Sequence, residues 1–147
     1  MKKKDYILLL IIMLVLFGGY SWVMKIEQKE YSLLVSQFYD DFIEEEYSIL
    51  YSYFWFGPEF EQLSEHDKIG YNAQHMINNR YWYRDIKEYK LLNSGWRGRG
   101  VRKVTIQVAV HRGENSIKKY KDTLELVRKN GVWKIGDFQT GVPANLP

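Results

Sequence analysis

The chain has 147 residues, with 21 Lys and Arg against 18 Asp and Glu and no cysteine. That length suits one folded domain beside a targeting segment, and the missing thiols exclude a disulfide framework, a thiolate metal site and a lipoprotein attachment site. The aromatic share of 16% points instead to a core built from rings that each bury a large area.

At the amino terminus, Met1-Lys-Lys-Lys-Asp-Tyr precedes a nearly unbroken apolar run from Ile7 to Phe17. A positive head before a hydrocarbon body is an export pattern. Lys2, Lys3 and Lys4 are expected to keep the amino terminus in the cytoplasm and send the carboxyl terminus out. The run alone has the length of a cleavable signal, whereas extension to Met24 gives about 19 residues, enough to cross a bilayer as a helix. Gly19 and Ser21 offer a small-x-small cleavage pattern. Tyr20 and Trp22 sit where an interfacial aromatic belt would lie, and Lys25 follows. The preferred reading is an uncleaved signal-anchor with residues 6–24 in the bilayer; cleavage near Ser21 would instead release a secreted protein. Cysteine-free export is ordinary for bacteria with a single membrane. The expected division is a basic stub and anchor over 1–24, a short linker over 25–30, one α+β domain over 31–140 and a tail over 141–147.

Charge is uneven beyond the anchor. Residues 25–67 hold 2 basic and 11 acidic residues, and residues 68–147 hold 16 basic and 6 acidic. Either acidic helices neutralise basic strands, or a cationic sheet surface meets an anionic lipid, polymer or protein partner.

Leu34, Val35, Phe38, Phe42, Ile49 and Tyr53 recur at helical steps, so an amphipathic helix is expected from Tyr31 to about Tyr53, ended by Phe56-Gly57-Pro58. Pro58 opens a short turn carrying Phe60 and Leu63. Ser64 with Asp67 three residues on reads as an N-cap for a helix through Ile69, Met76 and Ile77. After Arg80 the period becomes two. A strand is expected from about Asp85 to Trp96. Val104, Ile106, Val108 and Val110 then alternate with Lys103, Thr105, Gln107 and Ala109, as in a half-buried antiparallel strand. Gly113 to Ser116 turns the chain into a strand over Lys118 to Arg128. Asn130-Gly131 is a tight hairpin signal returning it through Val132 to Phe138. Helices followed by such a meander define an α+β domain with a curved sheet of about four strands closing over the long helix.

The order of these elements, and the closing Asn-Gly-x-Trp-Lys-Ile-x-x-Phe hairpin from Asn130 to Phe138, resemble the nuclear-transport-factor-2-like, or cystatin-like, cone fold. The resemblance covers nearly all of Tyr31 to Phe138 in element order. It implies a helix-filled cone. Members with one amino-terminal membrane helix include extracytoplasmic domains of secretion and conjugation scaffolds, and enzymatic members resemble ketosteroid isomerase or scytalone dehydratase.

An enzyme of that kind needs acid-base groups converging in the cone. The polar candidates are Asp122, His75 and Glu46. Strand parity places Asp122 with Tyr120, Leu124 and Leu126, yet a bulge, or pairing that begins only at Thr123, is expected to turn it outward. Glu45 and Glu46 are expected on a solvated helix edge, and His75 as a packing histidine. Three His without paired ligand spacing give no metal site, and no cofactor is expected. Trp96, Arg97, Arg99, Arg102 and Lys103 mix cations with an indole. They are either a strand edge whose Arg stems cover apolar surface or a grip on an anionic lipid or polymer. Nucleic acid is not expected as a partner outside the cell, except in a DNA-transfer apparatus. The sequence thus favours a non-enzymatic, membrane-tethered binding or assembly module with a protein partner at the cell envelope. The alternatives are a small isomerase- or dehydratase-type enzyme and a cleaved, secreted ligand-binding protein.

Overall fold

A computed structural model describes residues 3–70, 86–112 and 116–141. The chain divides into two compact units, residues 1–33 and 34–147.

The first unit is helical. Helix α1 (Lys3–Ile43) contains a segment long and apolar enough to cross a membrane. From Tyr6 to Phe17 every side chain is 49% to 75% exposed, which separates this segment from the buried core helix of a soluble protein. Residues 25–30, expected as a linker, are helical within α1.

The second unit begins with the last turns of α1, where Val35, Phe38, Tyr39 and Phe42 are all buried. Their spacing puts them on one stripe. The helix ends at Ile43, ten residues before the position expected from its apolar spacing. Glu44, Glu45 and Glu46 follow at once, and negative charge opposes the partial negative charge of a helix carboxyl end. Glu45 takes φ 68°, a left-handed conformation that stops helical propagation. The chain re-forms a short 3-10 turn over Leu50–Tyr53, and Phe54 then bridges Ile135 in parallel.

Helix α2 (Pro58–Glu61) starts at the proline and buries Phe60, while Leu63 stays 43% exposed. Residues 65–70 are helical. The Asp67 amide donates to Ser64 Oγ at 3.2 Å, as an N-cap requires. Met76, Ile77 and His75 lie outside the described residues.

Four strands complete the unit: β1 (Ile86–Gly98), β2 (Val101–Arg112), β3 (Ser116–Lys129) and β4 (Val132–Gln139). They form one antiparallel sheet in the order β1-β2-β3-β4. Asn130 and Gly131 carry φ 50° and 83°, the positive angles that a two-residue turn between twisted strands demands. The β2–β3 register runs unbroken from Val101↔Val127 to Arg112↔Ser116. Three register shifts interrupt β1 against β2, and one interrupts β3 against β4; such irregularities bend the bulged strand.

Register sorts the side chains into rows. On the inner face Leu91, Ile106 and Asp122 lie side by side, then Ser94, Val104, Leu124 and Phe138, then Trp96, Arg102, Leu126 and Ile135. α1 packs on this face through Phe38, whose ring centroid lies 5.8 Å from that of Phe138 and 5.5 Å from that of Phe54. The fold is therefore α+β, with a long apolar amino-terminal helix followed by helices packed on a four-stranded antiparallel sheet. The open edge of β4 is partly covered, because the Trp55 amide donates to the Ile135 carbonyl at 2.8 Å.

Beyond β4 the backbone passes so close to β3 that a Cβ added at Gly141 would stand 2.1 Å from the Lys121 carbonyl oxygen. Gly141→Ala is expected to destabilise the chain by about 1–3 kcal/mol or more through that overlap. Urea unfolding of the full chain in detergent micelles measures it, and an unchanged midpoint contradicts the close approach.

Candidate functional site

Two groupings on the sheet carry chemistry. The first lies under α1 and centres on Asp122, which is fully buried (0% exposed). The expectation that it turns outward is corrected by the structure: pairing starts at Ser116 and holds without a bulge through Asp122, which sits opposite Ile106 on the inner face. Burying a carboxyl group costs several kcal/mol unless donors replace its water. Both oxygens have donors. The Tyr39 hydroxyl donates to Oδ2 at 2.7 Å, and the Gly141 amide donates to Oδ1 at 3.2 Å. Gly141 therefore belongs to this network, although it was expected to open the tail.

Tyr39 is held in turn by its neighbours. Its ring stacks on Tyr89 with centroids 5.0 Å apart and planes 21° apart, a favourable offset geometry. The Tyr89 hydroxyl returns to α1, donating to Asp40 Oδ1 at 2.8 Å and to the Ser36 carbonyl at 3.3 Å. One face of α1 is thus bonded to β1 through Tyr89 and to β3 through Asp122. On the β4 side the Tyr53 hydroxyl donates to Asp41. The rest of the inner face is filled by rings, with Phe38 against Tyr39, Phe42, Tyr53, Phe54 and Phe138.

The second grouping lies at one end of the sheet, where the β1–β2 and β3–β4 turns meet. Trp96 is 68% exposed, although its register partner Arg102 is 6% exposed. Arg97 and Arg99 are exposed. Arg102 is withdrawn from the group expected to grip an anion: it points inward in the row between Trp96 and Leu126, with its guanidinium 6.0 Å from the Trp133 ring centre. Its role there is packing against an indole. Lys103 is half-buried on the outer face opposite Glu125. Arg128 covers Trp133 at 5.8 Å, and Lys129 Nζ lies 4.9 Å from the Trp55 ring centre. Arg128, Lys129 and Trp133 were readable only as parts of the hairpin, because alternation along a strand does not reveal which neighbouring turn shares its end.

Of the polar candidates, Glu46 is exposed in the turn after α1, where its amide donates to the Asp41 carbonyl at 2.9 Å. Among the described residues, no group of three or more His, Cys, Asp or Glu is arranged to hold a metal ion.

With this geometry in view, the chain is similar in fold to a SEC-C motif containing protein from Rhodopseudomonas palustris, known from a solution structure. The likeness has a TM-score of 0.50 and 18% identity and covers 72% of this chain and 74% of that one. A crystal structure described as a putative NTF2-like transpeptidase from Campylobacter jejuni gives a TM-score of 0.46 at 17% identity, covering 74% of this chain and 98% of that one. At such identities a likeness bears on fold alone. No protein-family model and no curated protein matches the chain.

The tyrosine hydroxyls make the network sensitive to alkali. Burial, together with the hydrogen bond to Asp41, pushes the Tyr53 hydroxyl up from 10.0 to about 12. Burial and the bond to Asp40 do the same for Tyr89, also to about 12. A folded-state value above the unfolded one means that the stabilisation is complete below pH 10 and is lost as pH rises through about 12. Urea unfolding across that window is expected to show falling stability in the native chain and a shallower fall in Tyr53→Phe/Tyr89→Phe. Equal slopes contradict the assignment.

Proposed function

We propose that this chain is a membrane-tethered, extracytoplasmic binding or assembly module of the nuclear-transport-factor-2-like cone type, without catalytic activity, serving a cell-envelope complex such as a secretion or conjugation apparatus. The apolar segment of α1 acts as a signal-anchor, with Lys2, Lys3 and Lys4 on the cytoplasmic side. Tethering raises the effective concentration of the domain towards neighbours at the same membrane.

The observation that carries the non-catalytic reading is how the inner face is used. A general acid or base must come within hydrogen-bond reach of its substrate. Asp122, the carboxyl group that parity offered for that role, is 0% exposed and spends its oxygens on Tyr39 and Gly141. On the same face Phe38 packs against Tyr39, Phe54 and Phe138. The cone interpretation draws support from the long helix followed by a four-strand meander, closed by the Asn130 to Phe138 hairpin.

Because the chain has no cysteine, one introduced thiol reports its own side of the membrane. Lys119→Cys, on an exposed position of β3, is expected to react with a membrane-impermeant maleimide in intact cells. Labelling only after lysis would place the domain in the cytoplasm and end the proposal.

A further inference from the structure

We infer that the end of the sheet formed by the β1–β2 and β3–β4 turns is a docking surface for a bilayer bearing anionic lipid headgroups. The two turns form one surface. The Arg128 amide donates to the Gly100 carbonyl at 2.8 Å, and a Cβ added at Gly100 would lie 3.5 Å from Arg128 Cβ. The second turn is braced by Arg128 Nε donating to the Gly131 carbonyl at 3.0 Å.

The two segments that carry the turns hold charge of one sign. Residues 95–103 and 128–134 contain seven Lys and Arg and no Asp or Glu. Lys103 is offset by Glu125 across the strand pair, and the Lys134 ammonium donates to the Ser52 carbonyl. Arg102 is buried beside Trp133. Arg97, Arg99, Arg128 and Lys129 remain on the exposed surface. Each cation near an anionic membrane surface strengthens association about fivefold.

Two apolar side chains project among these cations, Trp96 at 68% and Val132 at 57% exposure, one beside each turn. An exposed indole flanked by arginines suits the headgroup boundary, where its ring is half in hydrocarbon and half in water and the guanidiniums meet phosphates. The buried Arg102 and the Trp133 ring act as a rigid bed beneath, so the surface is set before it meets lipid. The nearness of a bilayer comes from the apolar segment of α1; the docking itself does not depend on which side of the cell membrane the domain occupies or on its protein partner. A failed thiol-labelling result would therefore leave this inference standing.

The test uses the full chain in nanodiscs of phosphatidylcholine, with and without phosphatidylglycerol, read by amide hydrogen exchange. Slower exchange at residues 98–101 and 129–132 is expected only on the anionic discs, with residues 117–119 at the opposite end of the sheet unchanged as the internal control. Raised salt should remove the protection. Arg97→Gln/Arg99→Gln should remove most of it, and Trp96→Ala, which leaves the charges in place, should reduce it. Exchange at Asp122 and Leu124, matching the native chain, verifies that each variant is folded. Equal exchange on both kinds of disc overturns the inference. So does protection by added soluble polyphosphate with none on anionic discs, which would make a free polyanion the partner.

Discussion

The constraint on which the second unit depends is a carboxyl group placed where only apolar side chains should be. Asp122 lies in the inner row with Leu91 and Ile106, and a group of that kind cannot stay dry without donors. Tyr39 reaches it from α1 and Gly141 from the chain beyond β4. Hydrophobic burial would hold a helix against a sheet in many registers. A directional bond to one buried acceptor selects a single register, and the stack of Tyr39 on Tyr89 fixes it from a second strand.

This use of polarity explains why the interior reads differently from the surface of the same sheet. Under α1 the Asp122 oxygens accept from Tyr39 and Gly141, and Phe38 makes five ring contacts at 5.1 to 6.1 Å, four of them edge-on. At the turn end, guanidinium and ammonium groups lie over the rings of Trp133 and Trp55 while Trp96 remains in solvent. The face under α1 is therefore spent on cohesion, while the turn end keeps cations and an indole in solvent.

Much of this architecture was legible because local signals agreed. The alternation from Lys103 to Val110 could describe only a half-buried strand, and Asn130-Gly131 could serve only a tight turn. Where signals conflicted, the apolar stripe misled. Ile49 and Tyr53 continue the helical spacing past Phe42, but three consecutive glutamates at a helix carboxyl end carry more weight, and Glu45 leaves the helical region. Parity puts Asp122 on the inner face, and the bulge or late pairing expected to turn it outward is absent from β3 against β2. The partners that make its burial tolerable are invisible in sequence, since nothing local connects residue 39 with residue 122 or shows that Gly141 returns to the same point. Arg102 was grouped with Arg97 and Arg99 by proximity in sequence, although its register partners Trp96 and Leu126 put it in the inner row.

The role of the Asp122 contact is tested most directly by a double-mutant cycle. Unfolding free energies of the full chain in micelles, for the native protein, Tyr39→Phe, Asp122→Ala and the pair, isolate the interaction between the two side chains. A coupling of about 1–3 kcal/mol is expected for a buried hydrogen bond to a carboxyl group. Effects that simply add, to within about 0.5 kcal/mol, would contradict the account and leave the helix held by ring packing alone.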